Sequence, residues 1–454
     1  MKKTYLIALS LLFFSTCKLQ AQVVNNEEDD NDETEITVTN AQGKREVIDL
    51  PEAMTMELDS LMQLYNTKTY LRPDTSCNLP DVNPVYDIAV YKKRLSILPT
   101  IIEMPYNDVV QQFIDRYSGH LRRSVSYMLG AQNFYMPIFE EALESYGLPL
   151  ELKYLPVIES ALNPRAVSRV GATGLWQFML NTGKRYGLTV NTLVDERRDP
   201  VKASYAAAHY LSDLYKVFGD WNLVIAAYNC GPDKVYKAIH RAKQNDYWQI
   251  YPYLPRETRG YVPAFIAANY IMNYYCEHNI CPMTTDLPAK TDTVVINRDL
   301  HFEQIAHVLG LDVDQIAALN PQYRHNIVNG SWKPSALRLP AALITKFIDN
   351  EDSIYNYKPD DLTSKRTEVE VNDEEPTIVR YRRVHKNYTS SSKYSSKKGR
   401  KKKERKERSK SITIREGDTL SEIAQRNKIS VKKLRRLNGI KGNNIRAGKK
   451  IKIK

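Results

Sequence analysis

The chain has 454 residues, 42% of them apolar, and a formal net charge of +12. That length fits about three domains, and the apolar fraction excludes a wholly disordered chain. Five cysteines are too few for a disulfide-built scaffold of this size, and eight scattered histidines without a paired Cys/His spacing argue against a zinc site.

The N-terminus comes first. MKK is a positive n-region, and YLIALSLLFF is an apolar h-region far shorter than the roughly 20 residues a membrane span needs. Residues 1–21 therefore read as a secretory signal peptide. Two processing routes compete: cleavage after Ala21 in KLQAQ, or lipid attachment at Cys17 in FFSTC. Cleavage is favoured, because Phe14 and Thr16 stand where a lipobox carries Leu and Gly or Ala. No later apolar stretch is long enough to span a bilayer, so a mature chain without lipid is expected to be soluble in the envelope.

Residues 22–90 read as a polar, mobile N-terminal segment that begins with the acidic run EEDDNDETE. Helical periodicity then takes over, and residues 91–285 are expected to form one mostly α domain. Val110, Phe113, Ile114 and Tyr117 fall at helical spacing, as do Ile138, Phe139, Leu143 and Tyr146. Cys77, Cys230, Cys276 and Cys281 read as ordinary thiols, with Cys276 and Cys281 close enough to bridge if a helix ends between them.

Within this domain lies YLPVIESALNPRAVSRVGATGLWQFM, whose Glu159 is followed by no Asp or Glu from Ser160 to Val194. On a helix, Leu152, Leu155 and Glu159 fall at i, i+3 and i+7, so the carboxylate shares a face with leucines. Burial there would raise its pKa, as a general acid working near neutrality requires. The alternative is a glutamate at a helix end, exposed or paired with Arg165. SRVGATGLWQFM adds two glycines that let backbone approach a ligand, the indole of Trp176 for stacking on a sugar, and Gln177 with a donor and an acceptor. DWNLVIAAYNCGPDKV closes an apolar helical run on Tyr228, Asn229 and Gly231. Acids return at Asp195, Glu196 and Asp199, in DERRDP, which reads as a polar turn before the next helix.

Beyond the helical domain the sequence repeats itself. Residues 297–320 align without gaps on 415–438, pairing Phe302 with Leu420, Ile305 with Ile423, Ala306 with Ala424, Val313 with Val431, Ile316 with Leu434 and Asn320 with Asn438. Each copy opens on a β-rich run, passes through two helical stretches and closes on an apolar alternation, a βααβ plan used twice. Residues 343–410 read as a charged flexible linker. It ends in KKGRKKKERKERSK, with ten basic residues; secretion argues against nucleic acid as its partner, leaving an anionic envelope polymer, a lipid head group or a self-repelling spacer.

Taken in order, these motifs carry a resemblance. Residues 130–275 resemble the lysozyme-like catalytic domain of lytic murein transglycosylases, membrane-bound type D group: ES at Glu159 and Ser160, GATGLWQFM, AAYNCG, and ETRGYV with Tyr261. The repeats at 293–342 and 411–454 resemble LysM, a module that binds glycans containing N-acetylglucosamine. The implied fold is mainly α, a lysozyme-like domain followed by small βααβ modules. The implied activity is cleavage of peptidoglycan between MurNAc and GlcNAc, with the C6 hydroxyl attacking C1 to give a 1,6-anhydro end, and with no cofactor or metal. Glu159 would be the catalytic acid and base, helped by Ser160, Gly174, Gln177, Tyr228, Asn229 and Tyr261 as substrate-binding or positioning residues. Gly417, Asp418, Thr419 and Leu420 form the turn typical of a glycan-binding LysM; the first copy lacks that glycine, which puts its glycan binding in doubt and leaves packing on the catalytic domain as its alternative role.

The resemblance also agrees with a count of carboxylates: ordinary glycosidases flank the bond with two, whereas the segment after Glu159 supplies no second one. A hydrolytic muramidase and a noncatalytic wall-binding scaffold are the competing readings. The expected partner is peptidoglycan. The expected location is the bacterial periplasm, with outer-membrane association through a lipid at Cys17 or through the basic linker as the alternative.

Overall fold

The computed structural model describes residues 35–39, 45–54, 71–285, 287–288 and 290–363, and from the C-terminal repeat 411–413, 423–424, 427, 429, 431–438, 440 and 449–453. The signal peptide with Cys17, the basic run and the Gly417–Leu420 turn lie outside the described residues. The chain divides into two compact units, residues 1–378 and 379–454.

The first unit begins with a feature the expected mobile segment did not include. Strands β1 (Glu35–Thr39) and β2 (Arg45–Asp49) form an antiparallel hairpin, and Val38 and Ile48 point into the helical core. A third strand, β3 (Leu71–Pro73), follows. The helices then run in order: α1 (Ile88–Ile97), α2 (Asp108–Ser118), α3 (Arg122–Ser145), α4 (Leu155–Ser160), α5 (Leu180–Arg185), α6 (Pro200–Phe218), α7 (Trp221–Cys230), α8 (Pro232–Ala242), α9 (Tyr247–Ile250) and α10 (Arg256–Tyr274). Caps explain several starts. Asn107 accepts from the Val110 amide, Asp199 from Val201 and Lys202, and Asp220 from Leu223, each supplying an acceptor to an otherwise orphaned N–H.

The core is where the periodicity puts it for α2, whose Val110, Phe113, Ile114 and Tyr117 are all buried. On α3 the second apolar set is split: Phe139 and Leu143 are buried, Ile138 is half-buried, and Tyr146 is exposed just past the helix end. Central to the core is α10, which packs on α2, α7 and β2. Its Gly260 has a reason: a Cβ there would stand 2.9 Å from the Asp49 carbonyl of the hairpin, so the strand can cross the helix only over a bare Cα.

Cysteine pairing departs from expectation. Cys77 is disulfide-bonded to Cys281, with Cα atoms 5.9 Å apart, while Cys276 and Cys230 are free. The helix does end near Cys276, but the chain reverses at Asn279 (φ 55°) and enters strand β4 (Met283–Thr285), which pairs with β3. That turn delivers Cys281 to a partner 204 residues away instead of to its neighbour.

The first repeat copy follows. Strand β5 (Thr291–Ile296), β6 (Asp299–His301), α11 (Phe302–Leu309), α12 (Val313–Leu319), β7 (Ile327–Asn329) and β8 (Ser335–Pro340) give the expected βααβ plan with an added β6–β7 pair. The module does not stop at 342, and the first part of the expected flexible linker is helical: α13 (Ile344–Asp349), α14 (Glu351–Asn356) and α15 (Pro359–Leu362). Phe347, Ile354 and Tyr355 close the module's core, and the Gln304 amide on α11 donates to the carbonyls of Tyr355 and Tyr357. Three large apolar side chains spaced through a charged stretch anchor it to the module.

In the second unit, β9 (Ser411–Thr413) pairs antiparallel with β10 (Lys450–Lys452), and α16 (Val431–Asn438) lies between them in sequence. Ile423, Ala424, Leu434 and Ile451 form its core. Among the described residues no helix is long and apolar enough to cross a membrane.

Candidate active site

Glu159 sits in the last turn of α4, half-exposed, above a floor of buried Leu152, Leu155, Val157 and Ile158. The stretch expected to be one helix is two: residues 150–154 are a 3-10 turn, and the α-helix starts at Leu155 with Pro156 in its first turn. After Ser160 the chain leaves through two left-handed residues, Ala161 and Leu162. Such non-glycine conformations persist only where packing holds them, and both side chains are buried.

Tyr261, on α10, points its hydroxyl at Glu159 and donates a hydrogen bond to Oε1. Its ring is fully buried. Burial, then the charge and hydrogen bond of Glu159, push the Tyr261 hydroxyl far above the ordinary phenol range. The same two causes, burial followed by the Glu159 charge, raise Tyr228. Both phenols therefore stay protonated donors wherever the carboxylate is charged.

The glycine-rich loop is held to this pair from two sides. The Ser160 hydroxyl donates to the Leu175 carbonyl (2.9 Å), with the Pro156 carbonyl at 3.1 Å, and the Tyr228 hydroxyl donates to the Trp176 carbonyl (2.8 Å). Gln177 follows with φ 47°, its amide nitrogen donating to Gly174 O at 2.8 Å, its side chain half-buried. Asn229, at the end of α7, accepts from the Thr258 hydroxyl (2.7 Å) one turn before Tyr261. Thus α4, the 171–178 loop, α7 and α10 bring Glu159, Ser160, Gln177, Tyr228, Asn229 and Tyr261 into one connected set.

Three roles change on inspection of these contacts. Trp176 is no sugar platform: it is fully buried, edge-on to Phe139, and its Nε1 donates to Ser204 Oγ (2.9 Å). Gly174 (φ 89°) makes room for protein, not ligand, since a Cβ there would lie 1.8 Å from the Arg197 carbonyl. Ser160 is completely buried with its hydroxyl committed to backbone carbonyls, so it anchors the loop and does not reach outward. Arg165, the alternative partner for Glu159, donates instead to the Ala317 carbonyl of the first repeat module (3.0 Å).

DERRDP is the residue group that sequence reading undervalued. It is a turn, but a buried one. Asp195 is 0% exposed and chelates Arg197 through Nε and Nη2 (both 2.9 Å), while Arg324 of the repeat module adds a third bond at 3.0 Å. Burial pushes the Asp195 carboxyl up, but Arg197, then Arg324 and Arg198, outweigh it and hold the group below its usual range. Glu196 accepts from the Thr189 amide (2.7 Å) and pairs with Lys202. The clustering of three acids with two arginines in DERRDP was the available signal, because opposite charges in a short buried turn satisfy one another.

Residues 136–251 match the transglycosylase SLT domain, residues 290–356 the LysM-like domain of the lytic transglycosylase MltD, and residues 412–454 the LysM domain. The lysozyme-like helical domain and its attached modules thus define an enzyme, a peptidoglycan lytic transglycosylase. In particular, the chain is 28% identical to the membrane-bound lytic murein transglycosylase D of Escherichia coli (strain K12), over 77% of this chain and 70% of that one. It is also 32% identical to the soluble lytic murein transglycosylase of Escherichia coli (strain K12) over 30% of this chain and 21% of that protein. With the membrane-bound lytic murein transglycosylase F of Pseudoalteromonas translucida (strain TAC 125) it shares 31% identity over 30% of this chain and 33% of the relative.

Proposed function

We propose that the enzyme breaks the β-1,4 bond between MurNAc and GlcNAc without consuming water, using Glu159 first as acid and then as base. Protonated Glu159 gives its proton to the glycosidic oxygen as the C1–O bond breaks. The resulting carboxylate takes the proton of the sugar's own C6 hydroxyl, whose oxygen bonds to C1 and closes a 1,6-anhydro ring. Atoms balance, and the two products together have the mass of the parent strand. Tyr261 orients the carboxylate, and Gln177, Tyr228 and Asn229 shape the pocket around the sugar.

The observation that supports a one-carboxylate reaction is the fate of the next acids in the chain. Asp195 and Glu196 are buried and committed to arginine, lysine and backbone partners, and Asp199 caps α6. The Cys77–Cys281 disulfide supports work in an oxidising compartment, which agrees with secretion to the periplasm. The C-terminal LysM, through the turn at Gly417, Asp418, Thr419 and Leu420, would hold the enzyme on glycan strands.

Glu159→Gln tests the reading, because glutamine keeps the shape and loses the proton. Cleavage should fall by about 10²- to 10⁴-fold with wall binding retained. Mass analysis of wild-type products should show anhydro ends, each one water lighter than a hydrolysed end. Reducing MurNAc ends as the main product would favour the muramidase reading instead.

A further inference from the structure

The repeat module at 290–363 touches the catalytic domain at several places, among them Arg165 with Ala317 and Phe134 with Ala318 and Leu319, and one line of contacts leads to the active-site loop. The backbone amide of Asp195 donates to Gln322 O (2.9 Å), the amide of Arg324 donates to Leu193 O (2.7 Å), and Leu193 and Val194 are buried in the module's own apolar core. Arg324 then reaches Asp195 Oδ2, the same oxygen that Arg197 Nη2 holds. Arg197 spends its remaining donor, Nη1, on the carbonyls of Gly171 (3.1 Å) and Phe178 (3.2 Å), the two ends of the loop that carries Gln177. Its own carbonyl rests on the bare Cα of Gly174 in the middle of that loop.

We propose that Arg324 is a positioning residue for catalysis: acting through Asp195 and Arg197, the first LysM-like module clamps the 171–178 loop and thereby sets Gln177. The inference rests on the reading above, in which Gln177 borders the substrate. Its physical basis is over-determination. Gln177 occupies a left-handed backbone conformation that glutamine does not favour, so the loop relaxes unless its ends are pinned. The pin is a bidentate arginine whose partner carboxylate has no solvent to screen it, and the third bond from Arg324 fixes that carboxylate's rotation. The module is in this sense a piece of the catalytic unit and not a detachable binding arm.

The test is a double-mutant cycle in the full chain. Arg324→Ala, Gln177→Ala and the double variant are assayed on peptide-free glycan strands well below the melting temperature of each, with rates taken per folded enzyme. Arg324→Ala should lower kcat about tenfold and leave KM within about twofold, since small misplacements of a positioned group are costly. In the Gln177→Ala background the same change should cost less than about twofold, because the group it positions is gone. Equal losses in both backgrounds, or an unchanged kcat in Arg324→Ala, would overturn the proposal. Should Arg324→Ala not fold, Arg324→Gln enters the same cycle with the same two outcomes. If Glu159→Gln proves fully active, the active-site reading fails instead, whatever Arg324 does.

Discussion

The two repeat copies are built alike and employed differently. In each, one asparagine at the end of the second helix clamps the closing strand: Asn320 donates to the Arg338 carbonyl and accepts from its amide (2.7 and 2.8 Å), and Asn438 does the same with Lys452 (2.7 Å each way). Each also donates back to its own helix, to Ile316 and to Leu434. The apolar positions that align, Ile305 with Ile423 and Ile316 with Leu434, are buried in both. Yet the first copy shares its core with Leu193 and Val194 of the catalytic domain and is closed by α13 to α15, whereas the second lies in the other compact unit, where Ile423, Ala424, Leu434 and Ile451 are the buried core among the described residues. At the position of Gly417 the first copy has Asp299, which ties down Ser331 by paired backbone and side-chain bonds.

The sharpest way to break this contrast is by truncation. Ending the chain at residue 410 should leave the unfolding midpoint of the first unit unchanged. Ending it at 289 uncovers Leu193 and Val194, each worth about 1.5 to 3 kcal/mol when buried, and takes Arg324 from Asp195, so a loss of at least about 4 kcal/mol is expected in denaturant melts. Equal midpoints for the two truncations would mean the first module is as separable as the second.

The shared clamp gives a finer comparison. Asn320 is fully buried, so Asn320→Ala leaves the Arg338 amide and carbonyl unpaired away from water, at about 2 to 5 kcal/mol. Asn438 faces an exposed strand backbone that water can satisfy, and Asn438→Ala should cost about 1 kcal/mol. Thermal melts of the two variants measure both, and a reversed order would refute the burial argument.

Acid should separate the copies next. The folded pKa of Asp195 is held below its ordinary value of 3.8, so the unfolded chain binds the proton first. The stabilisation it contributes is complete above about pH 5 and is lost as pH falls through 3.8 and below. The stability gap between wild type and Asp195→Asn, read from urea melts, should therefore be widest at neutral pH and narrow below pH 4.

The smallest effect concerns a helix cap. His301 accepts from the Glu303 amide while Gln304 reaches back to the His301 amide, a capping box at the position where the second copy's sequence has Thr419 and Glu422. His301→Thr should change stability at pH 8 by less than about 1 kcal/mol. Burial lowers the His301 pKa from 6.5, so the unfolded imidazole protonates first and wild-type stability declines as pH falls from 6.5 through the lowered value. The threonine variant should lack that slope, and an equal slope in both would assign it to other groups.

Local pattern made much of this enzyme legible. The spacing of Val110 to Tyr117, the lone Glu159 with its ordered motifs, and the repeat register down to Asn320 and Asn438 were all readable, because each depends on residues within a few helical turns or on one gapless alignment. What tertiary structure decided lay in contacts across long stretches of chain. Cys281 found Cys77 and not Cys276; Trp176 and Gly174 turned inward; residues 344–363 folded onto α11; and Asp195 met Arg324, 129 residues on. A sequence states which side chains could pair or stack, and only close packing, which lets one neighbour occupy a site and excludes the rest, selects which of them do.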